Sequence, residues 1–214
     1  MTSEEVELDE LLEPSGVAVI VIDKQRGFLD PKVSPILQRH DVSRIIETVD
    51  RIDSFVEACR GYSINVVWTR MIQSLSLSPR NIATRLGNDE RPFLIEPGTV
   101  AFEYTGATSP RAGEFTIEKP FFDAFASTTL SDHLRQKGVR TIVCVGAYAG
   151  RCVLATAFGA NGHGFDVVLA RGLAVPHVDF PEELRVAEAT IASILGYVIE
   201  PSELLARWGH LTAR

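Results

Sequence analysis

The chain has 214 residues, 45% hydrophobic and 23% charged, which suits one globular domain with a substantial core. Its formal net charge of −7 is concentrated at the start: six acids and no bases lie in residues 1–13, leaving 22 acids against 21 bases elsewhere. A body so close to neutral excludes the basic excess of a nucleic-acid binder, and the hydropathy pattern excludes a signal peptide and a bilayer-spanning run. Residues 1–14 are therefore expected to form an acidic N-terminal tail, or an arm on a neighbouring subunit, with residues 15–214 a single domain. Cys59, Cys144 and Cys152 have no paired spacing, which points to a reducing, cytoplasmic setting and away from structural zinc.

Residues 17–23 (VAVIVID) are a continuous apolar run ending in an acid, the pattern of a central parallel strand emerging into a site. Asp23 reads either as a site acid or as a helix N-cap. Residues 41–60 carry Val42, Ile45, Ile46, Val49, Ile52, Phe55, Val56 and Cys59 at steps of three and four, an amphipathic helix ended by Gly61. A second strand is predicted at 64–68. Residues 71–113 hold Pro79, Pro92, Pro97 and Pro110 without a sustained period, and are expected to be an irregular cover over the site.

Residues 115–118 give a short strand stopped at Lys119-Pro120, and residues 127–137 a helix closed by Gly138. The β-branched run at 141–145 is a buried strand. Gly146, Ala147, Ala149 and Gly150 then open a small-residue turn, followed by a helix over 153–162 with Cys152 at its first turn. Strands at 166–170 and 197–199 and helices at 181–195 and 201–208 complete the pattern. Six strands alternating with helices predict a single-domain, three-layer α/β/α fold with a doubly wound, mostly parallel six-stranded sheet, Rossmann-like. Neither GxGxxG nor a P-loop lysine is present, which disfavours nucleotide binding.

Asp23, Lys119 and Cys152 all stand just past strands, where ligand chemistry gathers in such sheets. A helix N-terminus lowers a thiol pKa and makes Cys152 a nucleophile; alternatively Cys152 is a small buried hydrophobe. Lys119 alone is an ordinary surface lysine. As a set, the carboxylate takes the thiol proton, the ammonium steadies negative charge, and the turn supplies N–H donors for an oxyanion. On that reading Asp23→Asn removes the acceptor and slows Cys152 alkylation. Phe28, Trp68, Phe122 and Tyr148 wall a substrate pocket or fill the core, with Ala147 in the turn beside them. Gln25 and Arg70 either meet a polar substrate or make structural hydrogen bonds. Arg151 faces solvent or a substrate anion, and His177 lies in a loop near a strand end. In the strand order 3-2-1-4-5-6 the Lys119 strand sits two places from the Asp23 strand, about 9 to 10 Å away, so Lys119 must reach inward.

Four blocks in order resemble the isochorismatase-like cysteine hydrolases. They are Asp23-Lys24-Gln25-Arg26-Gly27-Phe28; Pro97-Gly98-Thr99; Lys119-Pro120 with Phe122, Ala124-Phe125 and Leu130; and Gly146 to Val153 with Ala155-Thr156-Ala157 and Gly164. The resemblance runs from about residue 17 to 170. It implies an Asp23-Lys119-Cys152 triad and a cis peptide at Ala147–Tyr148. It also implies an oxyanion hole from the Tyr148 and Cys152 N–H groups, and hydrolysis of small amides, ureides or, in one branch, a vinyl ether. Gly150-Arg151-Cys152-Val153 with Ala155-Thr156 is similar to the N-carbamoylsarcosine amidohydrolase branch. Ala149 replaces the family's threonine. Residues 68–73 (WTRMIQ) lack the Asp-x-His metal motif of the nicotinamidase branch.

The expectation is a cysteine hydrolase cleaving a C–N bond of a small amide or ureide through an acyl-enzyme on Cys152. No cofactor and no metal are expected. The partners expected are a small-molecule substrate and further copies of the chain in a dimer or tetramer. One alternative is a non-catalytic relative that binds small molecules or proteins, whose Cys152 would show no unusual reactivity. The other is an isochorismate-type vinyl-ether hydrolase, whose activity would survive Cys152→Ala.

Overall fold

The computed structural model describes residues 3–88 and 93–213; Met1 and Thr2 of the expected tail and Pro92 of the expected cover lie outside the described residues. Residues 3–11 coil into a helix, α1 (Ser3–Leu11), where the acidic composition suggested a tail or arm. Tertiary anchors explain the difference. Leu12 is fully buried and its carbonyl accepts from Trp208 Nε1 at 3.0 Å, while Asp9 pairs with Arg207 at 2.9 Å.

The elements that follow are β1 (Val17–Ile22), a four-residue α2 (Arg26–Leu29), α3 (Ser43–Gly61) and β2 (Asn65–Met71). Next come α4 (Arg80–Gly87), β3 (Phe115–Lys119), α5 (Leu130–Gln136) and β4 (Thr141–Ala147). A π-helical turn (Ala149–Val153) leads into α6 (Leu154–Gly162), then β5 (Asp166–Val175) and α7 (Glu183–Thr190). A second π-helical turn (Ile191–Leu195), β6 (Gly196–Ile199) and α8 (Pro201–Leu211) close the chain. No described helix is long and apolar enough to cross a membrane.

The six strands form one sheet in the order β3-β2-β1-β4-β5-β6, and every pairing is parallel. β1 shows why its sequence never alternates with polar residues. Val17, Val19 and Val21 pack with α3 and α8 residues such as Ile52, Phe55 and Trp208 on one face. Ala18, Ile20 and Ile22 pack with Leu134, Ala157 and Ile191 on the other. Both faces are therefore apolar, and each buried Val or Ile side chain contributes about 1.5–3 kcal/mol. The doubly wound order leaves the C-terminal ends of β1 and β4 side by side at mid-sheet, where the crossovers diverge.

Gly146 sits at that divergence with φ +122°, and a Cβ there would lie 2.1 Å from the Ile22 carbonyl oxygen. Only glycine fits so close an approach of β4 to β1. Gly146→Ala is accordingly expected to lower the unfolding free energy by about 3 kcal/mol or more, through both the clash and the positive φ. Urea denaturation checks this; an unchanged midpoint and slope would contradict it.

Candidate active site

Asp23 is the first residue beyond β1 and adopts φ +47°, a left-handed conformation that Asp tolerates better than most side chains. Thr69 of β2 holds it there: the Asp23 N–H donates to Thr69 Oγ1 (3.1 Å), and the Thr69 hydroxyl donates to Asp23 Oδ1 (2.6 Å). The other carboxylate oxygen accepts from Lys119 Nζ at 2.6 Å. Lys119 ends β3, two strands away, and crosses under β2 to reach the acid. Its remaining protons go to the carbonyls of Phe121 and Phe122, each at 3.0 Å. Asp23 and Lys119 are both 0% exposed. Cys152, in the π-helical turn after β4, lies close enough to both for their charges to act on its thiol. Three groups from three strand ends are thus gathered at one place.

A second buried ion pair braces the same strand end from the opposite face. Lys24 Nζ meets Asp53 Oδ1 of α3 at 2.5 Å and the carbonyls of Thr105 and Thr108. Asp53 also accepts from the Ala107 N–H at 2.6 Å, and Gly106 leaves room for the cluster, since a Cβ there would meet Asp53 Oδ2 at 2.3 Å. Gln25 adds a clamp: its Oε1 accepts from the Met71 N–H at 2.7 Å, and its Nε2 donates to the Met71 carbonyl at 3.2 Å. These contacts tie the segment after β1 to β2 and to residues 102–108.

Over Cys152 lies a cavity of about 460 Å³. Phe28, Phe122, Ala147 and Tyr148 line it beside Cys152, as the sequence suggested. Gln25 and Trp68 do not. Gln25 spends its amide on backbone groups, and Trp68 is fully buried, its Nε1 donating to Glu114 at 2.7 Å. The wall also includes Arg151 and residues the sequence reading left out: Met71, Gln73, Phe121 and the α4 residues Asn81, Ile82, Arg85 and Leu86. The expected cover therefore does overlie the site, and part of it is helical. The i, i+4 spacing of Asn81 with Arg85 and Ile82 with Leu86 was the signal for α4. His177 is buried away from the cavity with its ring edge-on to Tyr148 at 5.0 Å. A groove of about 500 Å³ between α3 and α8 is lined by neither a cysteine nor a histidine.

Burial pushes the Cys152 thiol well above its ordinary pKa; Lys119 opposes the shift, and the Asp23 charge adds to it. This corrects the expectation of a lowered pKa: the cysteine sits in a closed π-helical turn beside a carboxylate, not at an open helix end. Burial alone would lower Lys119, but the charges of Asp23 and Cys152 outweigh it and hold the ammonium pKa above normal. Both shifts favour a neutral thiol beside a charged ammonium. The direction expected for Asp23→Asn also reverses, because the Asp23 charge raises the thiol rather than lowering it. The Ala147–Tyr148 peptide is cis.

A parallel α/β sheet with cysteine, carboxylate and ammonium joined at its C-terminal edge defines a class of thiol-bearing α/β proteins. Residues 17–177 match the isochorismatase domain, and the chain belongs to that family. It is 28% identical over 202 residues to the ureidoacrylate amidohydrolase of Methylobacterium radiotolerans, covering 87% of this chain and 77% of that protein. A cysteine hydrolase structure from Pseudomonas syringae pv. phaseolicola superposes with TM-score 0.79 at 23% identity, over 92% of this chain and 94% of the other. N-carbamoylsarcosine amidase from Thermoplasma acidophilum gives TM-score 0.69 at 20% identity, over 86% and 96%. These two likenesses show the fold.

Cys152 lines the cavity, whereas Cys59 and Cys144 are fully buried in the two core layers, with burial raising Cys59 and pushing Cys144 up to about 12. Iodoacetamide is therefore expected to label Cys152 first in the folded protein. Because the thiol is raised, its labelling rate should climb steadily from neutral into alkaline pH, without a plateau at low pH. Peptide mapping of timed aliquots checks both; labelling of Cys59 at an equal rate, or a pH-independent rate below neutrality, would contradict them.

Proposed function

We propose that this chain hydrolyses the C–N bond of a small amide or ureide through a covalent acyl-enzyme on Cys152. The observation that carries the reading is that Cys152, which lines the cavity, sits beside the fully buried Asp23–Lys119 ion pair and feels both charges. A buried ion pair is a poor source of stability compared with well-packed apolar side chains. Set against a thiol at the base of a cavity, the same pair can accept, hold and return a proton. Similarity to an amidohydrolase of a ureide supports the substrate class.

Cys152 Sγ bonds to the carbonyl carbon as its proton passes to Asp23, and the C=O π pair moves onto oxygen. The N–H groups of Tyr148 and Cys152 donate to that oxyanion. The carbonyl re-forms as the C–N bond breaks, and Asp23 gives its proton to the departing nitrogen. The enzyme is left as a thioester, or a thiocarbamate where the substrate is a ureide. Water then loses a proton to Asp23 and adds to the same carbon. Collapse expels the Cys152 thiolate, which recovers the proton from Asp23. Lys119 stays protonated throughout and offsets each negative charge as it forms.

The chemistry runs without a metal on this reading. After β2, the Thr69 hydroxyl is committed to Asp23, and Gln73 Nε2 donates to the Phe93 carbonyl at 2.6 Å. Among the described residues no group of three or more His, Cys, Asp or Glu could hold an ion. Ammonia release from a panel of small amides and ureides tests the proposal. Cys152→Ala is expected to reduce turnover by about a thousandfold or more, and a chelator to leave the wild type unchanged. Full activity in Cys152→Ala, or loss on chelation with recovery on adding zinc, would overturn it.

A further inference from the structure

In the π-helical turn that carries Cys152, the N–H groups of Arg151 and Val153 both donate to the Tyr148 carbonyl, at 3.0 and 3.2 Å. Two donors share one acceptor there, where an α-helix gives each its own, so the place of the sulfur depends on what grips the turn from outside. Glu183, the first residue of α7, grips it at two consecutive residues. Its stem packs on residue 150: a Cβ added at Gly150 would lie 2.8 Å from Glu183 Cγ and 3.0 Å from Glu183 Cβ, and only glycine lets the backbone come so close. Its carboxylate accepts from Arg151 Nε at 3.1 Å through Oε1 and from the His177 N–H at 3.4 Å through Oε2. We infer that Glu183 is a positioning residue, which fixes the sulfur and the N–H of Cys152 by holding the two residues before it, a role that rests on the amidohydrolase reading in which Cys152 is the nucleophile.

Stability is a poor reason for this contact. The Arg151 side chain is 33% exposed and that of Glu183 19%, and ion pairs so open to water contribute little to folding. Its location is what gives it a use. The Arg151 guanidinium carbon lies 5.6 Å from the Tyr148 ring centre and 5.5 Å from that of Phe180, so the side chain is a strut from α7 to the entry of the turn. Tyr148 is itself held, its hydroxyl donating to the Phe28 carbonyl at 2.7 Å and its ring meeting His177 edge-on. On the proposed mechanism the N–H groups of Tyr148 and Cys152 serve the oxyanion, and those two residues flank the strut. Reacting groups displaced by about 1 Å can lose about 10²-fold in rate, so a modest contact at this place has a large lever on turnover.

The test compares Glu183→Ala, which removes both stem and carboxylate, with Glu183→Gln, which keeps the stem and an oxygen acceptor for Arg151 Nε but no charge. Amide hydrogen exchange across residues 148–153 is followed by mass spectrometry, alongside kcat and KM for ammonia release and the urea midpoint. In Glu183→Ala exchange in this segment is expected to quicken and kcat to fall about tenfold, with KM within about twofold and little change in the midpoint. Glu183→Gln should return exchange and kcat to near wild type. Glu183→Asp, which keeps the charge and shortens the stem, serves if Glu183→Ala unfolds, and should show the same changes at reduced size. Wild-type exchange in the variant that removes or shortens the stem, or a Glu183→Gln protein impaired as much as Glu183→Ala, would overturn the inference. If wild type releases ammonia from no amide, the amidohydrolase reading fails, while the exchange measurement still decides whether Glu183 holds the turn. Ammonia release by wild type with full kcat in Glu183→Ala would do the reverse.

Discussion

The contact on which the rest of the site depends is the ion pair between Asp23 and Lys119, 2.6 Å apart and fully buried. Two charges out of water are costly unless every remaining donor and acceptor is met. Here they are met from several directions: Thr69 on one carboxylate oxygen, and the Phe121 and Phe122 carbonyls on the ammonium. Asp23, Thr69 and Lys119 come from β1, β2 and β3, so the parallel register of these strands sets the geometry of the pair. Cys152 arrives from β4, on the other side of β1, through a turn that Gly146 alone can make. The strand order thereby brings four distant sequence positions together at one place.

The electrostatics around Cys152 oppose a standing thiolate. The thiol is held up by burial and by the Asp23 charge, while Lys119 pulls it down. A free thiolate would be exposed to adventitious electrophiles and oxidants. On the proposed mechanism the neighbouring carboxylate takes the proton as the new C–S bond forms and holds it for the departing nitrogen. The second pair, Lys24 with Asp53, contributes stiffness: it ties the backbone next to Asp23 to α3 and to residues 105–108.

Much of this was legible in the sequence. β1 reads as a central strand because both its faces are covered, and the trio at strand ends reads as chemistry because an acid, a base and a thiol there have little structural purpose. Other features depend on partners far along the chain. The acidic stretch in α1 resembles a tail until Trp208 and Arg207, nearly two hundred residues on, supply its contacts. α4 has no fully buried residue, so its period is obscured by prolines and polar positions around it. Trp68 and Gln25 are residue types that suit a pocket or a core equally well, and only the sheet face and hydrogen-bond partners decide. The Cys152 pKa direction was misread because a helix end was expected where the chain makes a closed π-helical turn.

The central claim is that Asp23 carries the proton while Lys119 stabilises charge, and one variant separates the two roles. In Asp23→Asn the carboxylate that raises the thiol is gone and Lys119 is free to pair with the thiolate. The measurement is the rate of iodoacetamide labelling at Cys152 near neutral pH, alongside ammonia release by the same preparation. The account predicts labelling at least as fast as in the wild type, with turnover reduced by about 10² to 10⁴ through loss of the proton carrier. Labelling that falls in step with turnover would contradict it.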